Sequence, residues 1–229
     1  EAKVPNIIII YADDLGIGDL SCYNPKCSYS TPRLDHMAAE GIRFLDAHSP
    51  STICSPSRYG LYSGQQIYRS TGRGGGAFEG PGGPSYLKPG TLTLGDMLKQ
   101  KGYHTGVFGK WHVGLTWFDK EGERLGGGFD NSLLIDYDRS TPLIDGPNAR
   151  GFDASFVTPN CPTTDPLYIY IENGMVPIND KEVIQEDVDN VIHTARSVPI
   201  SAERRMLHVL PQEFIIDCQD GIKSPIGMS

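Results

Sequence analysis

Cys54-Ser55-Pro56-Ser57-Arg58 gathers a thiol, two hydroxyls and a guanidinium into one short run. Pro56 suits the first turn of a helix, and Ser55 before it suits an N-cap. The run to Gly64 then reads as a short helix that the glycine closes. That reading puts Cys54 at a helix N-terminus, where free N–H groups and the helix dipole favour an anion. Arg58, a turn further in, can point back to the same place. Taken alone, a buried inert cysteine beside a helix cap explains the run equally well.

Two other stretches carry comparable chemistry. Asp13-Asp14 sets two carboxylates side by side at the end of an apolar run, where they repel each other and lose solvation. A hard cation with carboxylate ligands relieves both costs; a solvated turn in which one Asp caps the next segment is the plainer account. Lys110 and His112 flank Trp111 between Gly109 and Gly114. In an extended segment, residues two apart share a face. One exposed Lys and one hydrogen-bonded His is the plainer account there.

The elements that must position these groups follow one scheme. Asn6–Ala12 is a continuous β-branched run and reads as a strand buried on both faces. Thr31-Pro32 opens a helix that Gly41 stops, with Leu34, Met37 and Ala38 on one side. Residues 42–47 alternate as a strand does and lead to Cys54. Thr93 caps a helix over 94–101, Gly102 ends it, and 103–108 is the strand before Lys110. All three chemical stretches therefore lie at strand ends, where open α/β sheets bind ligands. Further strands are expected over 151–157, 167–172 with a turn at Asn173-Gly174, and 212–217. The Gly/Pro-rich segment 70–90 reads as a surface loop, without the strand and helix context of a phosphate-binding loop. Val183, Ile184, Val188, Val191 and Ile192 fit one acidic amphipathic helix.

The 229 residues carry a net charge of -8, against the basic balance expected of a nucleic-acid binder. No run of about 18 apolar residues marks a membrane span. The cysteines are Cys22, Cys27, Cys54, Cys161 and Cys218, an odd number. Cys22 and Cys27 are close enough in sequence for a small-loop disulfide, which spacing alone does not establish. No CxxC pair or HExxH motif points to zinc.

Together, Pro5–Asp14, the Cys-x-Pro-Ser-Arg run with its glycine-closed helix, and Gly-Lys-Trp-His-Val-Gly over 109–114 resemble the sulfatase family. The likeness is good over the first 115 or so residues and weaker through Gly151-Phe152-Asp153. It implies an α/β fold with an alkaline-phosphatase-like mixed β-sheet flanked by helices, of which residues 1–180 are the N-terminal part and 181–229 an atypical tail. It implies hydrolysis of aryl or carbohydrate sulfate esters through a formylglycine made from Cys54 by the formylglycine-generating enzyme. One hydroxyl of the hydrated aldehyde attacks sulfur and the second expels sulfate. The resemblance makes Asp13 and Asp14, with modified Cys54, ligands of a divalent cation, calcium. Arg58 holds the diol, Lys110 the sulfate oxygens, and His112 assists elimination as a base. It also implies a sulfated small molecule or glycan as partner and a lysosomal or extracellular place in the secretory pathway.

Departures from the family are equally concrete. A further metal-binding Asp beside Asn, Gln or His and a Gly has no counterpart at Asp189-Asn190-Val191 or Asp220-Gly221. His193 and His208 lack the family's surrounding pattern. A fragment without turnover that binds metal or sulfated glycan therefore stays open as an alternative. So, less strongly, does a phosphomonoesterase of the same superfamily, which would usually carry Ser or Thr in place of Cys54.

Overall fold

The computed structural model describes residues 4–71, 83–125, 137–161, 169–176 and 213–217. They fall into two compact units, one of residues 1–11 and 50–229 and one of Ala12–Ser49. The helix expected over 183–192 lies outside the described residues.

The larger unit is built on a five-stranded mixed sheet of order β1-β5-β2-β3-β4. Its strands are β1 (Ile7–Ile10), β2 (His104–Lys110), β3 (Ala154–Thr158), β4 (Ile171–Glu172) and β5 (Glu213–Asp217). β2 and β3 are parallel, with Gly106 opposite Ala154 and Lys110 opposite Thr158. β5 runs antiparallel to both β1 and β2, and β4 antiparallel to β3. Among the described residues three α-helices accompany the sheet: α2 (Cys54–Ser63), α3 (Ile67–Thr71) and α4 (Leu94–Lys99).

Local chemistry sets these boundaries. Thr93 and Asp96 form a reciprocal capping box that starts α4. Gly102, with φ 82°, makes the turn into β2. Asn173 and Gly174 both have positive φ, and Glu172 and Met175 exchange both backbone hydrogen bonds across them. That is the tight hairpin turn that an Asn-Gly pair favours. α4 lies close on the chain before β3: Thr93 Oγ1 donates to Arg150 O at 2.7 Å, and a Cβ on Gly95 would come within 2.8 Å of Arg150 O. Asp153 fastens α4, β2 and β3 together. It takes Lys99 Nζ at 2.7 Å and the Thr105 amide at 3.0 Å.

The core of this unit is strongly aromatic, with Tyr59, Tyr62, Trp111, Trp117 and Phe152 almost inaccessible beside Leu87, Val107 and Ile171. Trp111 packs on Tyr62 with ring centroids 4.6 Å apart and meets Phe152 edge-on at 6.3 Å. Leu98 and Tyr103 form a smaller cluster with Ile7 and Ile9.

β1 corrects one expectation. Only Ile7 and Ile9 face this packing, whereas Ile8 and Ile10 are 65% and 57% exposed. Among the described residues β1 is an edge strand covered on one face. The uninterrupted isoleucine run describes what the strand can bury, not what lies against it here.

In the smaller unit, α1 (Pro32–Glu40) begins after Thr31 and stops at Gly41, as the sequence indicates. Asp35 accepts from Ser21 Oγ at 2.6 Å and Thr31 Oγ1 at 3.0 Å. These bonds, that from Ser21 foremost, hold its carboxyl below the usual carboxylate range. Arg43 donates to the Cys22 carbonyl, and Tyr23 OH to Phe44 O at 2.8 Å. Cys22 and Cys27 form no disulfide. Residues 42–47 are irregular rather than a strand, with Ile42 and Leu45 82% and 78% exposed. Alternation without a partner ladder is not sufficient for a strand.

Candidate active site

α2 begins at Cys54 itself, two residues earlier than a Ser55 cap requires. Ile53 is the extended residue before it; its amide donates to Ser51 Oγ at 3.1 Å and its carbonyl accepts from Ser57 N at 3.1 Å. Pro56 still falls in the first turn, where a missing N–H breaks no intrahelical bond. Ser55 is buried in that turn and makes no capping bond. The C-terminal expectation holds: Gly64 is left-handed at φ 66°, and its amide donates to Gly60 O at 2.9 Å. Cys54, half-buried, is thus the first helical residue, in the positive field of the helix N-terminus.

Arg58 lies one turn deeper and is completely buried. Its Nη1 donates to the Lys110 carbonyl at 2.5 Å, and its guanidinium sits 5.4 Å from the Tyr11 ring centroid. The Tyr11 hydroxyl is hydrogen-bonded to Ser57 Oγ. One side chain therefore joins the start of α2, the end of β1 and the end of β2. Tyr11 has no place in the sequence argument. The signal available for it was its position as the last ring before Ala12-Asp13. Burial pushes the Tyr62 hydroxyl far up, opposed in part by nearby Arg58.

Lys110 and His112 are 3% and 6% exposed. Lys110 ends β2, and the backbone then leaves the strand. The Trp111 and His112 amides donate to Thr158 O at 2.9 Å and Pro159 O at 3.0 Å. Gly109 has φ 100° and His112 φ 56°. The extended geometry that would put Lys110 and His112 on one face does not reach His112. A left-handed turn places the imidazole instead.

An ammonium, a guanidinium and an imidazole thus come from the C-terminal end of β2 and the second turn of α2, all screened from bulk water. Fixed donors of this kind act most strongly on an anion held in a low-dielectric site. Asp13 and Asp14 belong to the smaller unit, and only Ala12 separates them in sequence from Tyr11. Asp14 is left-handed at φ 57°, a conformation Asp adopts more readily than most residues. A cavity of about 390 Å³ over residues 116–122 and 138–144 is lined by none of the four groups Cys54, Arg58, Lys110 and His112.

Among solved structures, one titled for the metabolism of multiple glycosaminoglycans by Bacteroides thetaiotaomicron superposes with a TM-score of 0.61 at 35% identity, covering 77% of this chain and 32% of that one. The fold is alkaline-phosphatase-like α/β with a mixed sheet and flanking helices. The family model "Sulfatase" matches residues 5–183, and the chain belongs to the sulfatase family. A second model, the SHS2 domain inserted in FTSA, matches residues 167–229. An N-acetylgalactosamine-6-O-sulfatase of Bacteroides thetaiotaomicron is 39% identical over 178 residues, 76% of this chain. Human arylsulfatase A is 42% identical over 117 residues, 50% of this chain. The chain spans only 30% and 22% of the length of these two relatives. No helix among the described residues is long and apolar enough to cross a membrane.

Proposed function

We propose that the site built from Cys54, Arg58, Lys110 and His112 is a sulfate-ester hydrolase site. The observation that carries the reading is the buried Arg58, bonded to the Lys110 carbonyl beneath the helix that starts at Cys54. It ties the thiol-bearing turn to the strand end that supplies the ammonium and imidazole. Converted to formylglycine, Cys54 would supply a hydrated aldehyde: one hydroxyl attacks sulfur and displaces the ester's alcohol, and the second, on losing its proton, re-forms the aldehyde and expels sulfate. Lys110 binds the sulfate oxygens, Arg58 holds the hydroxyl-bearing side chain at the helix N-terminus, and His112 accepts or returns its proton. Adjacent carboxylates at Asp13 and Asp14 form an all-oxygen donor pair that fits a hard divalent cation such as calcium. With the modified Cys54 they would hold that ion, which neutralises sulfate charge when bound.

The substrate class is an aryl or carbohydrate sulfate, in keeping with relatives named N-acetylgalactosamine-6-O-sulfatase and arylsulfatase A; a lysosomal or extracellular setting follows from the family resemblance alone. Residues 1–180 are read as the N-terminal part of the catalytic domain, in keeping with the family match, and 181–229 as an atypical tail, of which β5 joins the sheet between β1 and β2. A second reading, in which the chain binds metal or sulfated glycan without turnover, rests on Asp189-Asn190-Val191 and Asp220-Gly221, which lack the family's further metal-ligand pattern.

Two measurements decide between them. The mass of the peptide containing Cys54, from protein made in its natural host, shows the thiol replaced by an aldehyde on the first reading. Turnover of an aryl sulfate is abolished by Cys54→Ala and by a chelator. An unmodified thiol, or turnover indifferent to both treatments, removes the enzymatic reading.

A further inference from the structure

Beyond Lys110 and Thr158, the last pair of the parallel β2–β3 ladder, the two chains continue side by side. The His112 amide donates to Pro159 O at 3.0 Å, and Asn160 is the next residue of that run. Its backbone is held, since Thr158 Oγ1 donates to Asn160 O at 3.3 Å. Its side chain is only 4% exposed, yet Nδ2 has no hydrogen-bond partner. A buried amide donor left without an acceptor is costly, and native structures seldom keep one unused. Trp111 Nε1 is similarly without a partner, but its ring is packed among Tyr62 and Phe152, where no ligand reaches. Asn160 differs in standing at the strand end, one residue beyond the bond that fixes His112.

We propose, on the reading of this site as a sulfate-ester site, that Asn160 is a substrate-positioning residue whose Nδ2 donates to an oxygen of the bound sulfate group. A sulfate oxygen only accepts hydrogen bonds, so a neutral donor on the run that fixes the His112 backbone suits it without a titrating group. The donor is left unmade in the ligand-free protein, and binding fills it. Stability and affinity therefore respond in opposite directions when it is removed.

The test uses the full chain carrying converted Cys54, with inorganic sulfate and a chromogenic aryl sulfate as probes. Asn160→Ala should leave the ligand-free Tm unchanged or higher. It should weaken sulfate binding and raise KM by about tenfold or more, the usual effect of losing a hydrogen bond to a charged group. A lower ligand-free Tm with unchanged sulfate affinity and KM overturns the proposal and makes Asn160 structural. Should Asn160→Ala fail to fold, Asn160→Asp keeps shape and volume and places a negative charge against the anion. It should abolish sulfate binding, and undiminished binding overturns the proposal. The parent chain is measured first: no binding and no turnover there removes the sulfate-ester reading itself, whereas binding that Asn160 variants leave unchanged removes this inference alone.

Discussion

His112 offers a test in which backbone and side chain can be separated. Its φ of 56° is left-handed, and that conformation costs an L-residue about 1–2 kcal/mol. Glycine escapes this cost but loses about 0.5–1 kcal/mol of extra chain entropy on folding. His112→Gly and His112→Ala both remove the imidazole and both keep the amide bond to Pro159 O. Their difference therefore isolates the backbone term: His112→Gly should be the more stable by about 0.75 kcal/mol, the middle of the first range less the middle of the second. In a domain of this size that is a Tm difference of about 1–4 °C. Urea unfolding of the two variants side by side measures it directly. Both should lose aryl sulfate turnover by about 100-fold or more, as for a general acid–base residue. His112→Ala equal to or more stable than His112→Gly would refute the claim that a left-handed turn positions the imidazole.

Gly95→Ala places a methyl group within 2.8 Å of the Arg150 carbonyl oxygen and the Gly151 carbonyl carbon, both backbone. Helix propensity favours Ala by about 1 kcal/mol, and overpacking costs about 1–3 kcal/mol. The net effect in urea unfolding should be a loss, and a gain would show that α4 does not lie so close to residues 150–151. Asp153 is opposed by its own burial, yet Lys99 and the Thr105 bonds prevail and hold its carboxyl below the ordinary range. Its contribution is complete above the ordinary carboxylate range and is lost as pH falls through the lowered value. Asp153→Asn should thus be less stable than the parent at neutral pH, and the gap should close on acidification; a gap that stays constant in a pH series of thermal melts argues against that ion pair.

The legible parts of this fold are those decided within a few residues. Thr93 with Asp96, Gly102 and Asn173-Gly174 act through their own backbone and nearest neighbours, so their outcomes match their sequence signals. The misread parts depend on what lies opposite. The isoleucines of β1 fit burial on two faces and receive it on one. Residues 42–47 alternate but find no ladder. Cys54 opens α2 because Ile53 is extended, with its amide held by Ser51 Oγ, a competition that Ser55-Pro56 conceals. At the site the residue types were readable only through the joint resemblance of three motifs, since each stretch alone has a plainer account and the strand expected before Cys54 is irregular. The linkage from Arg58 to the Lys110 carbonyl and the Tyr11 ring was not, because it joins residues about 50 positions apart or nearly so. The left-handed turn at His112 was hidden as well, because nothing in a His side chain announces positive φ.

Four consecutive isoleucines at the margin of a sheet also govern how this chain behaves in a test tube. Among the described residues β1 has one exposed apolar face and an edge without a neighbouring strand. An open edge of high β-propensity is a template for another chain. Pro5 at its start and the Asp13-Asp14 pair just beyond it are the residues that limit such growth, by withholding an amide and by adding like charge. The aspartates thus have a second duty besides any ion they hold. A substitution that neutralises both removes a guard on this exposed strand, so a loss of yield in such a variant reports on aggregation as much as on the site.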